Sequence, residues 1–109
     1  MLPENNRLKK RNDFNEILKK GKAITGKFVF LKYLKNNLNV NRFGFVVSLR
    51  ISKRAVIRNR IRRQLREATR RNLSNIKHSF DVLIIAKPEI INKKYQEIRN
   101  ELEYLFQFI

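Results

Sequence analysis

RAVIRNRIRRQLREATRR, residues 54–71, sets apolar side chains at Ile57, Ile61, Leu65 and Ala68. At about 100° per residue these fall on one narrow stripe of a helix, while Arg58, Arg60, Arg62, Arg63, Arg66 and Arg70 spread around the remaining circumference. One side of such a helix belongs to a core and the other to a polyanion. A solvated charged face ordinarily mixes signs, so that carboxylates relieve the repulsion; here only Glu67 does so. The start of the helix sharpens the point. A helix N-terminus carries partial positive charge and favours acids, yet the first turn after an N-cap at Ser52 carries Lys53 and Arg54. Nucleic-acid phosphate is the counterpart that fits this pattern.

Upstream, FVFLKYL at 28–34 and RFGFVVSL at 42–49 are rich in β-branched and aromatic residues, and the intervening NNLNVN is turn chemistry. They predict an antiparallel hairpin with a loop. A brief extended piece over 22–25 precedes it. Asp13 with Glu16 forms a capping-box pattern, and Phe14, Ile17 and Leu18 share a face of a short helix that Gly21 ends. Residues 1–12 read as a loose polar arm. Downstream, SNIKH is a loop, and FDVLIIA at 80–86 is a buried strand stopped by Pro88. Tyr95, Ile98, Leu102, Leu105 or Phe106, and Ile109 recur at helical spacing, with Glu97, Glu101 and Glu103 at polar positions between them. The order helix, two or three strands, helix, strand, helix predicts one domain over 1–109, an α+β sandwich of the form αβββαβα with about four strands. Phe28 and Phe30 point opposite to Val29, Leu31 and Tyr33, so both faces of the hairpin strands are apolar. Either helices cover both faces, or a partly open aromatic face beside the first helix stacks unpaired bases.

Composition points the same way. Lys and Arg number 26 against 9 Asp and Glu, a formal charge of +17, and the self-repulsion this implies is relieved by a polyanion. A membrane surface is the competing polyanion, but the basic residues are distributed along the chain and no apolar run approaches the roughly 20 residues of a spanning helix. There is no cysteine, which excludes disulfides and thiolate metal sites, and MLPENNRLKK lacks the apolar stretch of a secretory signal. The expected location is cytoplasmic. His78, the only histidine, reads as a surface loop residue, and neither Asp81 nor Glu89 belongs to a carboxylate pair spaced for two-metal chemistry. Catalysis by this chain alone is therefore not expected. Composition by itself favours a small structural RNA binder of the ribosomal type.

Arg58, Asn59, Arg60, Ile61, Arg62, Arg63, Leu65, Arg66 and Glu67 follow the Arg-Asn-Arg motif within a basic helix that marks one family, and the chain resembles the protein component of bacterial ribonuclease P. RLKKRNDF at 7–14 is similar to that family's lead into an aromatic on the first helix, residues 42–48 to its strand before the basic helix, and VLIIAKP to its last strand. The resemblance covers nearly the whole chain. It implies a mixed sheet with a left-handed βαβ crossover, and a small basic subunit that joins a catalytic RNA in removing the 5′ leader from precursor tRNA. It also implies that the protein alone binds no cofactor, while the RNA-containing holoenzyme requires Mg2+.

In the family the basic helix faces RNA, and a cleft between the first helix and the sheet takes the single-stranded leader. The resemblance places Arg58, Asn59, Arg60, Arg62, Arg63 and Arg66 on the RNA side, where Arg50, Lys53, Arg54 and Lys87 join them as candidates. Phe14 matches the cleft aromatic. Leu18 stands where a second aromatic is common. The strand tyrosine of the cleft aligns with Lys32, or with Tyr33 after a shift of one residue. Leu49 replaces a usual lysine after Ser48. Leader contact thus rests less on stacking and more on charge.

Overall fold

The computed structural model describes residues 2–76 and 79–109; Lys77 and His78, and with them the reading of His78 as a loop residue, lie outside these. Three helices and four strands follow in the order α1 (Arg11–Lys20), β1 (Lys22–Thr25), β2 (Val29–Lys35), β3 (Arg42–Val46), α2 (Ala55–Arg71), β4 (Phe80–Ala86) and α3 (Tyr95–Phe106). The strands form one mixed sheet in the order β1-β2-β4-β3. β4 runs antiparallel to β2 and parallel to β3, so β3, α2 and β4 make a βαβ crossover.

The expected hairpin between the second and third strands does not form, because β4 lies between them. FDVLIIA is the strand most apolar on both sides; Val82, Leu83 and Ile84 are all fully buried, and a strand of that kind belongs at the centre of a sheet covered on two faces. The asparagine turn still turns the chain, with Asn37 in the left-handed region at φ 60°, a conformation Asn tolerates better than most residues. It turns β2 away from β3 by one strand's width.

Alternation along the registered strands divides the side chains cleanly. Val29, Leu31, Phe43, Val82, Ile84 and Ala86 face a core closed by Ile61, Leu65 and Ala68 of α2 and by Ile98, Leu102, Leu105 and Phe106 of α3. The α2 stripe is the one its spacing predicts, and Ile61 and Leu65 each contribute about 1.5–3 kcal/mol by leaving water. In α3 both Leu105 and Phe106 are buried. Part of the opposite face is covered by α1, whose Ile17 is fully buried with Leu8 and Leu83.

The N-terminal stretch is not a loose arm. Leu2 and Leu8 are buried, Glu4–Asn6 form a 3₁₀ turn, and the Leu8 N–H donates to the Phe43 carbonyl at 2.9 Å, so the segment lies along the free edge of β3. Two isolated leucines in a polar run carry no periodic signal. Nor does Asp13 cap α1: the helix begins two residues earlier, after Lys10, and Asp13 in its first turn reaches Arg42 at 3.5 Å.

A candidate nucleic-acid interface

α2 starts at Ala55, with Arg54 as an N-cap that makes no side-chain bond. Ser52 is not the cap. Its Oγ accepts the Arg54 N–H at 3.1 Å, a local serine turn that delays the helix. Two arginines are held by the preceding loop. Arg58 Nη1 donates to the Ser52 carbonyl at 2.8 Å, and Arg62 donates to Asn59 Oδ1 at 2.7 Å and to the Val47 carbonyl at 3.3 Å. The Arg66 guanidinium stands 6.0 Å from the centre of the Phe45 ring, a weak cation–π distance. Arg60 and Arg63 are exposed and flank a shallow groove between α2 and α3 that Gln64, Glu67 and Tyr95 complete. Arg50, Lys53 and Arg54 are exposed just before the helix.

Among the described residues no carboxylate pairs with Arg54, Arg58, Arg60, Arg62, Arg63 or Arg66. Glu67 serves the far end instead, binding Arg70 at 2.6 Å and Arg71 at 3.1 Å. Hydrogen bonds from Arg70 and then Arg71 pull its carboxyl from the ordinary 4.5 down to about 2. A carboxyl whose folded pKa is depressed adds stability that is complete above its ordinary value and is lost as pH falls from 4.5 toward 2. The Glu67 carboxyl carbon should accordingly titrate by NMR with a midpoint near 2, and Glu67→Gln should flatten the stability profile across that window. A midpoint at the ordinary value would mean that Arg70 and Arg71 are free for other anions.

Across the molecule, α1 crosses only half of its sheet face. The row Lys32, Leu83, Gly44 lies beneath it, and the next row, Phe30, Ile85, Val46, is only partly covered. This is the partly open face. Phe14 seats its ring on Gly44, where a Cβ would fall 2.7 Å from that ring and 2.8 Å from the Leu83 side chain. Glycine here lets the aromatic approach the backbone. Leu18 is 48% exposed at the rim, and Lys32 Nζ donates to the Leu18 carbonyl at 2.9 Å. Around the edge of β3 the surface continues into a small cavity lined by Arg7, Leu8, Phe14, Gly44, Phe45 and Arg66, which joins this face to α2.

The structure thus brings Phe14, Leu18 and Lys32 together and separates Tyr33 from them. Tyr33 pairs with Val82, on the face of α2 and α3, so strand alternation excludes the shifted alignment. Phe30 lies on the aromatic face its strand parity assigns, while Val46, Ile85 and Arg7 are brought beside it by strand pairing and by the N-terminal segment along β3, which no local pattern signals. Lys87 is half-buried, with its Nζ on the Gly26 carbonyl at 3.0 Å, at the turn between β1 and β2. That turn is held by Glu101, whose carboxylate accepts the N–H groups of Lys27, Phe28 and Val29 at 2.7, 2.6 and 3.0 Å. Among the described residues no three His, Asp or Glu side chains gather as a metal ion would need, and no helix is long and apolar enough to cross a membrane.

The sequence and the fold are shared with known proteins. The family described as Ribonuclease P matches residues 2–109. The ribonuclease P protein component of Alkaliphilus metalliredigens is 36% identical over 106 residues, covering 97% of this chain and 95% of the relative. Among solved structures, the RNase P protein from Thermotoga maritima superposes with a TM-score of 0.87 at 30% identity, over 94% of this chain and 96% of the other. The RNase P protein of Staphylococcus aureus gives a TM-score of 0.85 at 30% identity, over 94% of each chain.

Proposed function

This chain belongs to the ribonuclease P protein family, and on that premise we propose that it acts in the cytoplasm as the subunit that helps a catalytic RNA remove the 5′ leader from precursor tRNA. The observation that carries the reading is the unneutralised arginine arc of α2 on a molecule whose opposite sheet face is half open beside Phe14. Arg50, Lys53, Arg54, Arg58, Asn59, Arg60, Arg62, Arg63 and Arg66 meet RNA phosphates. Phe14, Leu18 and Lys32, with the row Phe30, Ile85, Val46, take the single-stranded leader, whose bases offer π faces that an aromatic and an apolar floor accept without sequence preference. The magnesium implied for the holoenzyme belongs to the RNA-containing particle. This chain's part is to offset phosphate repulsion that added cations would otherwise screen.

Reconstitution tests the assignment. The protein with magnesium should cleave nothing; added to a bacterial ribonuclease P RNA at low magnesium, it should yield correctly shortened tRNA, and raised magnesium should partly replace it. A protein that cuts unaided would be a nuclease in its own right and overturn the assignment, and one to which no catalytic RNA responds would return the chain to the structural RNA binders. Within the cleft, Phe14→Ala should weaken leader-bearing precursor by about 1–3 kcal/mol, the range of one lost base–aromatic contact, with mature tRNA little changed. Because the ring also packs on Gly44 and Leu83, Phe14→Leu is the companion variant, keeping apolar volume without the π face. Equal losses for both substrates would make Phe14 a packing residue only.

A further inference from the structure

The groove between α2 and α3 carries chemistry beyond charge. It has a volume of about 300 Å3, at the lower end of ligand pockets, and a largely apolar floor between Arg60, Arg63, Gln64, Glu67 and Tyr95. Residues 63, 64 and 67 follow Arg60 at helical spacing, so the four form one stripe of α2 that faces α3. Arg60 and Arg63 are exposed, and among the described residues they bind no carboxylate. The Gln64 amide, among the same residues, makes no hydrogen bond. Glu67 is the one acid here, and its carboxylate is already taken up by Arg70 and Arg71. Tyr95 is the first residue of α3. Its ring packs against the core on one side and lines the groove on the other, yet its hydroxyl is buried without a hydrogen-bond partner.

Folded proteins seldom leave a buried hydroxyl unpaired, and one that persists calls for a role. Thr69 Oγ1 is orphaned too, but Thr69 is fully buried and no ligand reaches it. Tyr95 differs because it borders a groove. The α2 side chains that share this groove are long, so rotation about their own bonds, as the arginines turn to phosphates, opens the hydroxyl. The groove is also continuous with the arginine arc of α2. Its parts are those that hold an unpaired nucleotide: guanidinium groups for the flanking phosphates, an amide for the base edge, and an apolar floor with a phenol hydroxyl for the base itself. A paired RNA helix would present only its backbone to Arg60 and Arg63 and would leave Gln64 and Tyr95 without partners. We infer that the groove takes one unpaired, extruded nucleotide of the catalytic RNA, with Arg60 and Arg63 on its phosphates and with Gln64 and the Tyr95 hydroxyl bonded to its base. This rests on the function proposed above.

The test uses the full chain and a bacterial ribonuclease P RNA, read by affinity, by chemical reactivity of each base along the RNA, and by melting of the free protein. On binding of the wild type one unpaired nucleotide should lose its reactivity. Tyr95→Phe keeps the ring and removes only the hydroxyl. It should weaken binding about two- to tenfold, the range of one neutral hydrogen bond, and restore reactivity at that nucleotide, yet raise the melting temperature of the free protein, because a buried orphan has gone. Gln64→Ala should restore the same nucleotide and leave melting unchanged. A packing role for Tyr95 does not produce effects of opposite sign on assembly and on stability. Wild-type affinity and reactivity in both variants overturn the site and turn the groove over to a protein partner. So does a joint fall in affinity and melting temperature for Tyr95→Phe, which makes the hydroxyl a structural group. Failure of the underlying reading has its own mark: the wild type would then neither bind nor assist the catalytic RNA, and both proposals would fall.

Discussion

Raising salt from 50 to 200 mM should weaken RNA binding by roughly 300- to 1,000-fold, because neutralising about six phosphates gives a slope of log K against log salt of about −4 to −5. The arc of α2 without carboxylate partners supplies enough cations for that number. Single changes at Arg63 or Arg66, both exposed and unpaired among the described residues, should each lower the slope by close to one unit. Arg62 is a less clean probe, since its guanidinium also holds the Val47 carbonyl. A flat salt profile would show that recognition does not run through phosphates, and the charge of +17 would need another explanation.

Asp81→Ala should cost about 3–5 kcal/mol, the usual penalty for stripping a partner from a buried ion pair and a large part of the 5–15 kcal/mol that holds a domain together. Asp81 is 6% exposed. Its carboxylate accepts Arg42 Nε at 2.8 Å, Arg42 Nη2 at 2.7 Å and Asn36 Nδ2 at 2.8 Å. The hydrogen bonds to Asp81 raise the Arg42 pKa above its ordinary value, but a guanidinium stays charged without them, so removal of Asp81 leaves Arg42, among the described residues, with only the 3.5 Å contact to Asp13. Urea unfolding gives the measurement: the midpoint should fall with the slope unchanged. Asp81→Asn, which retains an acceptor for Asn36 or Arg42, should lose less. Since Arg42 also touches Asp13, leader binding should decline as the start of α1 loosens. A cost below about 1 kcal/mol would place the pair among surface bridges of little worth.

The parts legible in sequence were those with a single strong period. The α2 stripe, the α3 stripe and the apolar run of β4 each specify their own element, and the spacing of the arginines specifies the arc that α2 leaves outside the core. Pairing between strands was not legible in the same way. Turn chemistry at 36–41 suggests a hairpin, and only the continuous burial along 80–86 argues that a later strand enters between its arms. Lys32 and Tyr33 differ by one residue, hence by a whole face, and no local property of either decides which one α1 covers. Glu101 has the spacing of a solvent-facing acid. Its role comes from the turn at Gly26, where an added Cβ would fall 2.8 Å from the Leu105 side chain, so the turn lies close enough for its N–H groups to reach the carboxylate. Contacts of that kind depend on distance in space and leave no periodic trace.

The central position of β4 also bears on how the molecule is made. β2 and β3 share no hydrogen bond and are joined only through a strand that follows α2 in the chain. During synthesis the first three strands emerge with their inner edges open, and the sheet cannot close until the whole basic helix and residues 80–86 have followed. Closure of this kind is slow, because long-range pairing must be reached before it is rewarded, and open edges rich in Phe, Val and Leu invite pairing between chains. The like charge of the emerging chain opposes that encounter. Before any RNA is bound, the arginines therefore have an earlier task, keeping one unfinished sheet away from the next.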